Sequence, residues 1–170
     1  VKNMKISFST LGCPNFSWTE IYTMAKDLGF DGIEIRGLGK DIFDLHAPFG
    51  SQNLMSTVET LKKLRLEISC FSSDCVVCNK DFDKNSVFEY IDLAKAAGVK
   101  YIRILGDKAA GPTGEIDDNI VINNMKSVVS YAENADVILL IETNGVYSDT
   151  KRLCDVITAI ESDIVAALWD

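Results

Sequence analysis

The chain is poor in histidine and proline, with one and three, and short of basic residues. It has no apolar run near the ~20 residues that cross a bilayer as a helix. Nothing at its start reads as a charged-then-apolar signal segment. The expectation is therefore a cytoplasmic protein with no membrane partner. Lys and Arg number 17 against 25 Asp and Glu, a net charge of -8. That field repels phosphate backbones, so no nucleic-acid partner is expected unless a local basic groove overrides it. The five cysteines, Cys13, Cys70, Cys75, Cys78 and Cys154, are odd in number and scattered, which fits reduced thiols better than a disulfide framework. Cys75-Val76-Val77-Cys78 stands alone in a polar loop, whereas structural zinc takes four ligands and a redox pair opens a helix. No G-x-G-x-x-G follows the first strand, and Leu11-Gly12-Cys13-Pro14 cannot hold a dinucleotide.

What is present is a repeated design. Hydrophobic residues make up 47% of 170 positions, enough for the core of one domain spanning residues 1–170. Val137 to Gly145, VILLIETNG, is an apolar run closed by Glu142 and the turn formers Asn144 and Gly145. It reads as a strand buried on both faces with a carboxylate at its tip. Similar strands are expected at Lys5–Thr10, Ile33–Arg36, Glu67–Phe71, Lys100–Leu105 and Ile164–Asp170. Helices are expected at Trp18–Leu28, capped by Ser17 and Glu20, and at Ser56–Leu64, Asn85–Ala97 and Ile116–Asn134, with one from Asp149 to about Glu161. Gly29 and Gly98 stop two of them. Strict βα alternation implies a parallel sheet with right-handed crossovers. Without a dinucleotide fingerprint, a (β/α)8 TIM barrel cut after strand six is favoured over a doubly wound sheet.

Chemistry gathers at strand ends. Strand two ends Glu34-x-Arg36, strand four carries Arg103, strand five ends on Glu142 and strand six on Asp170. Barrel enzymes carry their active sites at this face. Two carboxylates on neighbouring tips repel unless a cation lies between them. Hard oxygen ligands there suit a divalent ion: Mn, Mg, Co or Zn. The competing reading pairs each of these carboxylates with an arginine, such as Arg103 or Arg36, and for the arginines themselves an internal pair of Glu34 with Arg103 competes with substrate binding.

Four segments together resemble one family: KISFSTLGCPN, AKDLGFDGIEIR, AKAAGVKYIRILGD, and the pair VILLIETNG with VAALWD. They look like the xylose isomerase-like TIM barrels, the superfamily of sugar isomerases and epimerases that also contains endonuclease IV. The resemblance implies that Glu142 and Asp170 are metal ligands and that Glu142 is also a catalytic acid/base. It implies further ligands on strands seven and eight, and a substrate-binding histidine three residues after Asp170. The ketose epimerases carry a second glutamate six residues after the strand-five ligand. Here that place is Ser148, which leaves isomerases and dehydratases open. Strand three ends without the histidines of the nuclease.

The implied substrate is a sugar, sugar phosphate or polyol, altered by proton transfer beside a metal-bound carbonyl. Arg36, Arg103, His46 and Trp18 are the candidates for contacting it. For His46 a plain surface role is the competing reading, and Trp169 is expected to pack under helices. The alternatives are an inosose-type dehydratase and a non-catalytic barrel-derived binding module. A strand-six edge would invite pairing with another chain, so a homo-oligomer is possible and an isolated 170-residue chain is expected to be inactive.

Overall fold

A computed structural model describes residues 4–37 and 41–169. Six strands form one sheet: β1 (Ser7–Ser9), β2 (Gly32–Ile35), β3 (Glu67–Val76), β4 (Tyr101–Leu105), β5 (Ile138–Glu142) and β6 (Val165–Leu168). Their spatial order is their chain order, β1-β2-β3-β4-β5-β6. A doubly wound sheet would place strand one between two neighbours with a switch point beside it. The sequential order overturns that alternative and is the order of the first six units of a (β/α)8 barrel. The chain divides into two compact units, Val1–Ser72 with Ala97–Val99, and Ser73–Ala96 with Lys100–Asp170.

In the first unit, α1 (Trp18–Asp27) begins with the expected capping box. Ser17 accepts from the Glu20 amide, and Glu20 accepts from the Ser17 amide at 2.7 Å. Gly29, at φ +76, ends the helix in the left-handed region that glycine enters without a Cβ penalty. Ile21 and Ala25 of α1 and Ile33, Ile35 and Phe71 of the strands are buried. An aromatic series extends this core, Trp18 to Phe49 at 5.2 Å and Phe49 to Phe71 at 5.4 Å, both edge-to-face. Between Ile33 and Glu34 the β2–β3 register shifts, so Glu34 pairs with Cys70. The shift is a bulge, which re-aims the side chains beyond it.

The second unit holds α3 (Lys84–Ala97, all but its last residue), α4 (Asp118–Ala135) and α5 (Thr150–Ile160); α2 (Leu54–Leu64) lies in the first. Its core alternates as a helix-covered sheet requires. Ile102, Ile104, Leu139 and Ile141 are fully buried, together with Met125 and Val128 of α4. Asp149 caps α5 by accepting from the Lys151 and Arg152 amides.

Three expectations need correction. Strand three does not end at Phe71 but runs to Val76, so Cys75 lies in a strand and not in a loop. The serines that read as loop formers are instead buried and satisfied. Ser73 Oγ donates to the Arg103 carbonyl at 2.6 Å, and the Val77 amide continues the ladder to the Leu105 carbonyl at 2.9 Å. The first strand is shorter than expected, because Thr10 to Gly12 turn into a 3-10 helix capped by Ser9. Trp169 does not pack under helices. It is 80% exposed, one residue past the end of β6.

The α1 capping box should be measurable in isolation. Ser17→Ala removes one partner and should lower stability by about 1 kcal/mol. Urea denaturation reads this as a lower midpoint with an unchanged slope, and an unchanged midpoint would show that the box contributes nothing.

Candidate functional site

Parallel strands carry the site because β4 and β5 are locked in register. Arg103 lies opposite Leu140 and Ile104 opposite Ile141. Arg103, Leu140 and, two residues on, Glu142 therefore share one face. The Arg103 side chain is 1% exposed and Glu142 15%. Arg103 Nε lies 3.1 Å from Glu142 Oε2. A buried charge is tolerated only when it is paired, and this pairing answers most of the requirement. It does not answer all of it, since Arg103 Nη1 is buried without a hydrogen-bond partner among the described residues. Glu142 thus takes an arginine partner, as the competing reading has it, and the arginine is Arg103, which the other reading gave to Glu34. Glu34 instead accepts hydroxyl hydrogen bonds from Ser72 at 2.6 Å and Ser9 at 3.2 Å.

The loops that leave these two strands are bolted together. Asp107, two residues past β4, is 0% exposed. Its carboxylate accepts from the amides of Lys108 at 2.6 Å, Val146 at 3.0 Å and Thr113 at 3.3 Å, and from the Thr113 hydroxyl. In return Asn144, two residues past Glu142, donates through Nδ2 to the carbonyls of Asp107 at 3.1 Å and Ala109 at 3.3 Å. The Gly145 amide donates to the Ala110 carbonyl at 2.9 Å. Two glycines permit this contact. A Cβ on Gly145, at φ +55, would stand 2.1 Å from Asp107 Oδ2, and one on Gly106 would stand 2.4 Å from the Tyr147 ring. Tyr147 is fully buried and donates to Asp118 at 2.8 Å, a carboxylate also held by Arg152.

The remaining candidates lie in the first unit. Trp18 and His46 line one shallow hollow of about 250 Å3 together with Tyr22, Asn53 and Thr57. His46 is exposed there, while Trp18 is half-buried against Phe49 and so has a packing role of its own. The Arg36 backbone is fixed to Thr10, whose hydroxyl donates to the Arg36 carbonyl and accepts from the Arg36 amide. Ser148 donates to the Gly145 carbonyl at 2.8 Å, closing the turn. Asp170 lies outside the described residues. Among those residues, no cluster of three or more His, Cys, Asp or Glu is arranged to hold a metal. Glu142 alone fits as a ligand, offering a hard carboxylate oxygen whose partner atom is fixed by Arg103. No helix is long and apolar enough to cross a membrane among the described residues.

The family model described as xylose isomerase-like TIM barrel matches residues 22–170. The chain belongs to this family. No curated protein matches it by sequence. Solved structures of xylose isomerase-like barrels share its fold. The probable 3-DHS dehydratase AsbF of Bacillus anthracis, involved in petrobactin synthesis, superposes with a TM-score of 0.78 at 18% identity, over 98% of this chain and 63% of that one. The IOLI protein with a bound zinc atom gives 0.75 at 17% identity, over 95% and 61%. A D-allulose 3-epimerase from Methylomonas sp. gives 0.74 at 14% identity, over 100% and 64%. The chain thus spans less than two thirds of each of these proteins.

Acid should expose the Asp107 lock. Burial pushes this carboxyl up, but the hydrogen bonds from Thr113, Val146 and Lys108 together hold it below its ordinary value. For Asp118 burial likewise raises the value, and Arg152 and Tyr147 more than offset it. A group depressed on folding adds stability above its unfolded value, about 3.9, and loses it as pH falls through the folded value. Urea midpoints should therefore drop below about pH 4, and drop less in Asp107→Asn than in the native chain. Parallel acid limbs in the two proteins would rule out the contribution. Gly145→Ala should cost about 2 kcal/mol or more, since it combines a left-handed φ with a clash; a melting temperature equal to the native one would contradict the close packing.

Proposed function

We propose that this chain is the six-strand part of a metal-dependent sugar, sugar-phosphate or polyol isomerase or epimerase, with Glu142 as its acid/base. The observation that carries the reading is the match of residues 22–170 to the family, with a part-buried carboxylate at the tip of strand five. Family membership and the zinc in one structural neighbour support a divalent metal as its companion. Glu142 would be one ligand, and Asp170, two residues beyond Leu168 of the neighbouring strand, the second. A bound divalent ion supplies Lewis acidity that polarises a carbonyl and makes the adjacent C–H easier to ionise.

The chain's own residues do the rest. The Arg103 guanidinium, 3.1 Å away through Nε, keeps Glu142 oriented through Oε2. Oε1 is then the oxygen offered to a ligand or to a proton. A carboxylate held this way can take a proton from the carbon beside the carbonyl and return it to the neighbouring atom on the same face; delivery to the opposite face would need a second acid across the sugar. Arg103, whose Nη1 is buried without a partner among the described residues, remains a candidate for a contact to the sugar. Arg36, His46 and Trp18 remain candidates for contacts to the sugar.

A dehydratase is the second reading, favoured by Ser148. Its hydroxyl closes a turn where ketose epimerases place a substrate-contacting glutamate. Proton abstraction by Glu142 would then be followed by loss of a hydroxyl, with no return of the proton to carbon.

The deciding experiment purifies the full-length protein gently, determines its metal by mass spectrometry, and screens ketoses, sugar phosphates and inososes by NMR in deuterated water. Isomerase or epimerase chemistry incorporates deuterium beside the carbonyl, and dehydration yields a new enone or enol. Glu142→Gln should lower turnover at least about a thousandfold and weaken the metal. Full activity in that variant would refute the acid/base role. A metal-free protein with no turnover would favour the binding module.

A further inference from the structure

We propose that Asp107 is a positioning residue for Glu142: its buried carboxylate locks the loop leaving β4 to the turn leaving β5, and so sets the place of the Glu142 carboxylate. The inference rests on the role proposed for Glu142 and adds a residue outside the strand tips.

The geometry is reciprocal. Arg103 and Asp107 lie on the same chain segment, four residues apart, and Glu142 and Asn144 on another, two residues apart. Asp107 reaches across to the Val146 amide, while Asn144 and Gly145 reach back to the carbonyls of Asp107, Ala109 and Ala110. Four bonds thus join the two segments just beyond the Arg103–Glu142 pair. A pair of long side chains keeps a 3.1 Å separation only if both backbones are held, and strand ends fray unless something ties them. Within the pair, Arg103 orients the carboxylate from one side only. The lock supplies the second constraint, on the backbone from which Glu142 projects.

The chemistry of the lock demands a carboxylate. Two backbone amides from different segments, Val146 and Thr113, converge on Asp107 Oδ2, while Oδ1 takes the Lys108 amide and the Thr113 hydroxyl. An asparagine would turn an NH2 group against one of these donor sets. Serine or alanine would leave a void with buried amides facing it. The two close glycines, Gly106 and Gly145, also show that the arrangement is tight, with no slack for either loop to drift. Outer groups that orient ligands typically alter metal affinity by about 10–100-fold when removed.

The test uses the full-length protein and Mn(II) as probe, with affinity measured by calorimetry and folding by thermal denaturation. Glu142→Gln should weaken Mn(II) at least about tenfold. Asp107→Asn should weaken it on the order of tenfold while the protein stays folded at the assay temperature. Asn124→Ala is the structural control, because Asn124 donates to the Val77 and Asn79 carbonyls in the same unit. It should lower the melting temperature and leave Mn(II) affinity unchanged. If Asp107→Asn does not fold, Thr113→Ala removes only the hydroxyl donor and should weaken Mn(II) about threefold, with Thr113→Ser restoring it. Native affinity in Asp107→Asn or Thr113→Ala, together with a loss in Glu142→Gln, overturns the lock and leaves the role of Glu142 standing. Native affinity in Glu142→Gln, or no Mn(II) binding by the native protein, overturns the ligand role and the lock with it.

Discussion

The Arg103–Glu142 ion pair is the constraint around which the second unit is arranged. A guanidinium that is 1% exposed has surrendered nearly all its water, and one carboxylate oxygen at 3.1 Å compensates it. Breaking such a pair by removing one partner typically costs several kcal/mol, about 3–5 when both groups are buried. The two strands must therefore hold their register, since a slip of one residue would send Glu142 to the opposite face. The apolar ladder does this. Ile102, Ile104, Leu139 and Ile141, all fully buried, cannot trade places with Arg103 and Leu140 without exposing the core. Packing on one face thus fixes charge on the other.

The same logic runs along the other strand tips. Three further polar side chains near the strand ends are satisfied by a neighbour on the next strand or loop. Thr10 closes onto the backbone of Arg36, Ser72 onto Glu34, and Ser73 onto the carbonyl of Arg103. A buried hydroxyl left without a partner would cost about 1–3 kcal/mol, so these contacts specify neighbours as well as filling space. They also explain how a strand can include Ser72, Ser73 and Asp74 and remain a strand. The polar residues serve the sheet's carbonyls and carboxylates, and the backbone ladder is left intact.

The fold was legible because its signals are local. Apolar runs, the Ser17–Glu20 box, the Asp149 cap and the glycines at 29 and 98 all act within a few residues, and each appears where the pattern places it. Three other helices end on non-glycine residues in the left-handed region, Arg65, Asp136 and Glu161. No composition rule marks these, because the cost of about 1 kcal/mol is carried by tertiary packing. Strand three was misjudged for the same reason, since serines read as loop formers until their acceptors across the sheet are known. At the site, Glu142 and Arg103 were visible as charges on apolar strands and an arginine partner for the carboxylate was one of the two readings, but the choice of Arg103 was not legible, because Arg36 and Glu34 offered equal partners on paper. Asp107, Asn144 and Tyr147 escaped altogether. Their only trace was Leu105-Gly106-Asp107 after one strand and Asn144-Gly145 after the next, ordinary turn residues whose contact spans nearly forty positions of sequence.

Arg103 also sets a charge requirement on any metal at this place. A divalent ion about 4 Å from a guanidinium is repelled by about 8 kcal/mol at an effective dielectric of about 20, and one carboxylate at that separation attracts it equally. At equal separations Glu142 would cancel Arg103, so the pair carries no net charge. A second carboxylate would make the place net negative and so attractive to a cation. Asp170 is the acid that stands next in sequence beyond Leu168, the residue opposite Glu142. The arginine thus turns a loose requirement for acidic groups into a strict one. A lone glutamate here would be an arginine's counter-ion, and only a set of carboxylates makes it a ligand.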